Sequence, residues 1–138
     1  IHNTKKEGDF VTPKGTYKMG PLYFRNDKIK FLKCDIKKII ITKNMGWCDD
    51  IKSQKYNREI KFPFKYSAEK LYRKDRIYDI FINIKYNYSP TKRGNGSAIF
   101  LHLSNKKYKP TRGCIGILKK DFMKILPLIN QNTKISIQ

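Results

Sequence analysis

Short apolar runs, separated by glycine, proline and polar residues, set the pattern of this chain. The clearest runs cover residues 38–42, 78–86, 97–103 and 134–137, and their length and β-branched or aromatic content predict strands. A shorter run at 16–19 also predicts a strand, which Gly20 and Pro21 are expected to end. The runs at 78–86 and 97–103 flank a Gly-rich polar turn, so we expect them to be neighbours in one sheet.

Helical periodicity is strongest near the end of the chain. Residues 119–129 carry apolar side chains at helical spacing, namely Phe122, Ile125, Leu126 and Ile129. Pro127 is expected to end this helix early. Ser67 is a candidate N-cap for a second, short helix over residues 67–72. We therefore predict a mainly β fold with one or two helices, in a single domain that covers residues 1–138.

A candidate thiol site lies where the strand at 97–103 ends. His102 sits near that end, where an imidazole can accept a proton. Gly113 and Cys114 follow after a polar, positively charged loop, whose Lys109 and Arg112, with the start of a following helix, would lower the pKa of the thiol. A turn at Gly113 would aim main-chain amides at one point, as an oxyanion hole requires.

This pattern predicts Cys114 as a nucleophile, His102 as its general base and acid, and Gly113 as a backbone oxyanion donor. A second interpretation remains open from the residues alone. Cys114 would then be a small buried side chain, and His102 a hydrogen-bonded residue at a strand end.

A second candidate site is the irregular segment at 47–58. Its aromatic and amide side chains suit a loop that binds a polar ligand, and we single out Trp47, Tyr56 and Asn57. Trp47 is equally consistent with an anchor of the core. The adjacent Asp49 and Asp50 would point in opposite directions on an extended chain, so we do not interpret them as an acid/base pair.

Several of these segments resemble one known family. Residues 96–102 and 110–114 are similar to the active-site signature of the YkuD-type L,D-transpeptidases, in which a strand histidine precedes a Ser/Thr-x-Gly-Cys turn. Four further blocks resemble the compact bacterial branch of that family in the same order, at residues 6–9, 12–17, 46–50 and 56–58. Two positions depart from the usual pattern, because Arg112 stands where many members have His and Gly116 where many have Arg.

The resemblance implies a mixed β-sandwich or open barrel and an enzyme that acts on peptidoglycan stem peptides. Cys114 would form an acyl-enzyme with a stem tetrapeptide, release D-Ala and pass the acyl group to an amine, and Thr111 and Arg112 would help to bind the substrate. Neither a cofactor nor a metal is expected. A carboxypeptidase that uses water, or a cysteine isopeptidase, is a weaker alternative. The resemblance also implies a location in the bacterial cell envelope or periplasm.

Charge raises a rival function. The chain has 31 Lys and Arg against 11 Asp and Glu, a net charge of +20, which predicts attraction to polyanions. One alternative is therefore a module that binds nucleic acid or an anionic polymer, with Cys114 as a structural residue. A genome rich in A and T would also produce this lysine excess. The sequence contains no recognised nucleic-acid-binding motif, and 39% hydrophobic residues exclude a disordered polymer.

The remaining expectations are brief. Cys34 and Cys48 could pair in an oxidising compartment or remain free. Two histidines and no Cys-x-x-Cys pair make a structural zinc site unexpected. No apolar run is long enough to cross a membrane, no signal peptide is recognisable, and we expect a monomer. Because the chain begins at Ile1, we expect some N-terminal residues to be missing.

Overall fold

The computed structural model describes residues 5–104 and 113–138. Strands form most of the regular structure in these ranges, and a short helix packs beside them. The elements in chain order are β1 (Gly15–Phe24), β2 (Lys38–Ile40), β3 (Met45–Cys48), β4 (Glu59–Lys61), β5 (Ala68–Lys70), β6 (Ile80–Ile84), β7 (Phe100–Leu103), β8 (Ile115–Ile117), α1 (Lys119–Ile125), a 3₁₀ helix (Leu126–Leu128) and β9 (Lys134–Ile137).

The larger sheet contains both parallel and antiparallel pairs. Its strands follow the order β2-β1-β6-β7-β8, and β9 pairs with β1. The β1–β6 and β6–β7 pairs are antiparallel, whereas β2 runs parallel to β1 and β8 runs parallel to β7. Phe81 lies opposite His102 in the β6–β7 ladder. This pairing confirms that the apolar runs at 78–86 and 97–103 are neighbours in one sheet.

Side chains of the central strands alternate between two cores, because successive residues of a strand point to opposite faces. In β6, Ile80, Ile82 and Ile84 join one core, which also contains Phe122 and Leu126 from the helical segment. Phe81 points the other way, into a second core with Trp47 of the smaller sheet. The smaller sheet has the order β4-β3-β5. A mainly β sandwich of two sheets is therefore confirmed.

The helix α1 covers the first core. Phe122 and Leu126 are fully buried, and burying a side chain of this size contributes about 1.5–3 kcal/mol. Pro127 lies in the 3₁₀ helix that follows α1 directly, which confirms that this proline ends the α-helix early.

The predicted helix over residues 67–72 is wrong. Ala68–Lys70 forms β5, which pairs with β3 so that Glu69 lies opposite Trp47. Ala, Glu, Lys and Leu favour a helix in isolation. Pairing with β3 and the complete burial of Leu71 outweigh that local preference.

Two further expectations about local structure are corrected. Gly20 and Pro21 do not end the first strand, because β1 continues through them with a shift of register between Met19 and Leu22. Trp47 belongs to β3 and not to an irregular loop. The β3 strand is buried at every position, so it lacks the alternation that identifies a strand in sequence.

Within the described ranges, Cys34 and Cys48 remain thiols, so the structure does not contain the disulfide that the sequence left open. The same part of the chain has no helix of sufficient length and apolar character to cross a membrane.

Candidate active site

Cys114 lies immediately before β8 and beside β7. Its Sγ donates a hydrogen bond to the Ala98 carbonyl oxygen at 3.0 Å and accepts one from the Phe100 amide at 3.4 Å. The residue is 9% exposed and belongs to the second core. Main-chain groups at the start of β7 therefore hold the sulfur in place.

The surroundings of Cys114 favour the neutral thiol. Burial raises its pKa to about 12, and the opposing effect of the Phe100 amide is smaller. The sequence predicted a lowered pKa, partly from a helix directly after the cysteine. That helix begins only at Lys119, because β8 lies between, and Lys109 and Arg112 lie outside the described residues.

His102 lies in β7, and its ring orientation is set by the main chain. Its Nδ1 lies 2.8 Å from the carbonyl oxygen of Leu103. Since a carbonyl can only accept, Nδ1 carries the proton in the neutral ring and Nε2 keeps its lone pair. Burial lowers the pKa of His102 below its usual value. The imidazole is therefore neutral at pH 7, in the tautomer that presents Nε2 as the base.

The sheet register relates the thiol to the imidazole. His102 pairs with Gly116 in the parallel β7–β8 ladder, and Cys114 precedes Gly116 by two residues. Cys114 therefore lies directly before β8, two register positions from the imidazole. A Cβ on Gly116 would lie 3.3 Å from Ser104 Cβ and 3.4 Å from His102 Cε1, so a larger side chain at this position would press against the imidazole.

Gly113 makes the turn that precedes the thiol, with φ of +96°. This backbone conformation strains most other residues. A Cβ here would also lie 2.9 Å from the Val11 carbonyl oxygen and 3.5 Å from Lys5 Nζ. The turn expected at Gly113 is present, and its role as an oxyanion donor stays a prediction.

A partly buried ion pair lies beside this turn. Lys5 is 6% exposed and its Nζ donates to Asp9 Oδ1 at 2.6 Å. Burial raises the pKa of the Asp9 carboxyl. Hydrogen bonds from Lys5 and two backbone amides together have the larger opposite effect, so the pKa falls to about 2. The sequence analysis missed this pair, although the family-like block at 6–9 was a signal that pointed to the region.

Asn57 connects the smaller sheet to the strand that carries the site. Its Oδ1 accepts from Trp47 Nε1 at 2.9 Å and from the Ala98 amide at 3.1 Å. Its Nδ2 donates to the carbonyl oxygens of Tyr86 and Asn87 at 3.2 and 2.8 Å. Asn57 is 3% exposed. Its side chain holds Ala98, whose carbonyl oxygen accepts the hydrogen bond from the Cys114 thiol.

Tyr56 supports the same segment from the other end. Its hydroxyl donates to Glu7 Oε1 at 2.6 Å and accepts from the Gly96 amide at 2.9 Å. Ser97 Oγ donates to the same Glu7 oxygen at 2.6 Å. Tyr56 is 1% exposed, so its hydroxyl bonds other residues of the chain and is not open to a ligand.

The sequence analysis expected Trp47, Tyr56 and Asn57 to contact substrate. The structure places all three in the interior, where their polar groups bind other parts of the chain. Trp47 is a core anchor that packs edge to face on Phe100 at 5.1 Å between ring centroids. Their interior positions favour a role in supporting the candidate site and not a role in direct contact with a substrate. The other two expected substrate-binding residues, Thr111 and Arg112, lie outside the described residues.

On the side of the smaller sheet, Tyr78 connects His102 to a pair of charged side chains that the sequence did not identify. The Tyr78 ring meets the His102 ring edge to face at 5.7 Å, and the Tyr78 hydroxyl donates to Glu69 Oε1. Arg73 Nη1 lies 3.4 Å from the same oxygen, and its guanidinium lies 5.0 Å over the Tyr78 ring. These groups come from β5 and from the loop before β6, so only the tertiary fold brings them together.

The family of the chain follows from its match to a family model. The model of the YkuD L,D-transpeptidase catalytic domain matches residues 3–137. The chain belongs to this family. The match to the L,D-transpeptidase model covers nearly the whole chain, which confirms the resemblance found in the sequence and is consistent with the two-sheet sandwich. No curated protein and no solved structure matches the chain.

Membership of the L,D-transpeptidase family supports an enzyme of that class or a related activity. Across residues 5–104 and 113–138, no group of three or more His, Cys, Asp and Glu side chains is arranged to hold a metal ion. The thiol of Cys114 and the imidazole of His102 remain the predicted catalytic groups.

Proposed function

We propose that this domain is a peptidoglycan L,D-transpeptidase that uses Cys114 as its nucleophile. The enzyme takes a stem tetrapeptide as donor, releases its terminal D-Ala and passes the acyl group to an amine of a second stem. One observation carries the proposal: in a member of this family, a thiol directly before β8 lies two register positions from a neutral imidazole on the neighbouring strand β7. Because peptidoglycan is its proposed substrate, we also propose that the enzyme acts in the bacterial cell envelope.

The raised pKa of Cys114 and the lowered pKa of His102 give a neutral resting pair. The proton therefore leaves sulfur during attack and not before it. Sγ forms a bond to the donor carbonyl carbon while His102 Nε2 takes the thiol proton, and the Leu103 carbonyl stabilises the resulting imidazolium. His102 then gives the proton to the amine of the departing D-Ala, which leaves a thioester.

Deacylation repeats the sequence in reverse order. The acceptor amine attacks the thioester, loses a proton to His102, and the proton returns to sulfur as the thiol leaves. The amides of Gly113 and Cys114 hold the oxyanion at each tetrahedral stage, and the Phe100 amide stabilises negative charge on sulfur. Thr111 and Arg112 contribute to substrate binding. Each step uses only these protein groups, so the reaction needs no cofactor.

Purified muropeptides test this function. Wild-type protein should release D-Ala and form cross-linked dimers that mass spectrometry detects, and Cys114→Ala should form neither. Cys34→Ala is the matched control, because it removes another thiol from a partly exposed position and should keep full activity. Dimer formation by Cys114→Ala would overturn the proposal. Tripeptide without dimers would assign the water-dependent carboxypeptidase reaction instead.

A carbapenem provides a second readout of the same thiol. The β-lactam should acylate Cys114, so intact mass should rise by one inhibitor in the wild type and in Cys34→Ala. Cys114→Ala should show no adduct. An equal adduct on Cys114→Ala would contradict the assignment of the nucleophile.

A further inference from the structure

Exposed apolar side chains lie on the loop before β2 and on the adjoining helical segment. We define the apolar patch as Phe31, Ile125 and Leu128, of which Phe31 is 91% and Leu128 77% exposed. A cavity of about 310 Å³ joins the loop before β2 to the helical segment; it is lined by Phe31, Leu32, Lys33, Met123, Leu126 and Pro127. The loop and the helical segment therefore form one continuous surface. Apolar side chains that share one exposed surface with a polar border mark binding sites more often than isolated ones do.

Lysines border the apolar patch on both segments. Residues 26–38 and 119–134 together contain nine lysines and three aspartates. Exposed lysines flank Phe31 at positions 28, 30 and 33, and others lie on α1 at 119, 120 and 124. One of the aspartates, Asp27, is neutralised by Arg25 at 2.7 Å. The surface thus combines protruding apolar side chains with a strongly positive border.

The apolar patch and the candidate active site face opposite sides of the larger sheet. Phe122 and Leu126 of the helical segment pack in the first core. Cys114 belongs to the second core, between the larger sheet and the smaller one. A partner bound to the apolar patch would therefore leave the thiol directed away from it.

We propose that the apolar patch docks the domain on the surface of an anionic lipid bilayer. Phe31 and Leu128 enter the boundary between headgroups and acyl chains, and the bordering lysines bind the headgroup phosphates. A soluble polyanion would satisfy the lysines but leave Phe31 in water. A second copy of the chain would bring the same positive border against itself, which repels. The bilayer satisfies both the apolar and the charged groups.

Vesicle co-sedimentation tests the proposal. The probes are vesicles of phosphatidylglycerol and phosphatidylcholine in equal parts, and vesicles of phosphatidylcholine alone. Wild-type protein should bind the anionic vesicles at least tenfold better. The double variant Phe31→Ser, Leu128→Ser should lose at least tenfold in binding, and Lys120→Gln with Lys124→Gln should weaken binding and its salt dependence. Ile51→Ser is the matched control, because Ile51 is 53% exposed outside the apolar patch and should bind normally.

Other outcomes overturn the proposal. Unchanged binding of the Phe31→Ser, Leu128→Ser variant to anionic vesicles would show that charge alone attracts the protein. Equal binding of the wild type to both kinds of vesicle would exclude a contribution of the anionic headgroups to binding. A wild-type dimer in analytical ultracentrifugation that this variant loses would assign the patch to a second copy. Activity on soluble muropeptides should be unchanged in the Phe31→Ser, Leu128→Ser variant and in the Lys120→Gln, Lys124→Gln variant, so the result is independent of the proposed function.

Discussion

The thiol of Cys114 donates its hydrogen bond to Ala98, a residue with left-handed backbone conformation. The Sγ to carbonyl oxygen distance is 3.0 Å, and φ of Ala98 is +54°. The Asn57 side chain holds the Ala98 amide at the same time. A strained peptide fixed from one side therefore presents the acceptor for the proposed nucleophile.

The first prediction concerns Ala98 itself. Ala98→Val should lower the free energy of unfolding by about 1–3 kcal/mol, because a β-branched residue resists this conformation and the site is buried. Ala98→Gly should change stability by less than about 1 kcal/mol, since relief of strain offsets the greater flexibility of the unfolded chain. Urea denaturation measures both. Equal stability of the two variants would show that the left-handed conformation carries no strain.

The second prediction concerns Asn57. Asn57→Asp keeps an acceptor for Trp47 but places a carboxylate oxygen against the carbonyl groups of Tyr86 and Asn87. The loss of two donated hydrogen bonds in a buried site should cost about 3 kcal/mol. Trp47 is the single tryptophan of the chain, so its fluorescence should shift to longer wavelength. Asn44→Asp, an exposed control, should cost less than about 0.5 kcal/mol; a similar cost in both variants would contradict the interpretation.

The third prediction is a pH profile. Burial lowers the pKa of His102 below 6.5, and the proposed base must be unprotonated. The value of kcat/KM for donor cleavage should therefore fall in acid with a midpoint below pH 6.5 and stay level from pH 7 to pH 9. His102→Gln should lose about 10²–10⁴-fold in rate. A midpoint above pH 7 in the wild type would exclude a neutral imidazole as the resting base.

The fourth prediction concerns the ion pair of Lys5 and Asp9. Asp9→Asn should lower the free energy of unfolding at pH 6 by about 1–3 kcal/mol, because it leaves the buried ammonium without its charged partner. The folded pKa of Asp9 is about 2, below its ordinary 3.8. Its contribution is therefore complete above pH 4 and is lost as the pH falls toward 2. Urea denaturation at pH 6 and pH 3 should show a smaller difference at pH 3; a constant difference would exclude a charge effect.

Local patterns predicted the elements whose signals are local. The strands at 38–42, 78–86 and 134–137 and the early end of α1 follow from side-chain periodicity and from one proline, and the structure confirms them. The short strands β3 and β5 were missed because their pairing partners lie far away in sequence. Glu69, for example, lies opposite Trp47 across more than twenty residues.

The candidate site was predictable only in part for a related reason. Cys114 and His102 could be identified from sequence because a thiol and an imidazole are side-chain groups with recognisable reactivity. The groups that hold them are the carbonyl oxygens of Ala98 and Leu103, which every residue possesses and no sequence pattern encodes. Burial raises the pKa of the thiol and keeps it neutral. The positive residues nearby in sequence suggested the opposite shift, because burial depends on the tertiary fold.

The alternation of β7 restricts how the chain length near the site can change. Phe100 belongs to the core that contains Cys114, whereas Leu101 and Leu103 belong to the opposite core. Insertion of a single residue between Phe100 and His102 would turn the imidazole to the far side of the sheet. Insertions in pairs would keep it on the side of the thiol. Insertions in this strand before His102 must therefore contain an even number of residues if the imidazole is to stay on the side of the thiol.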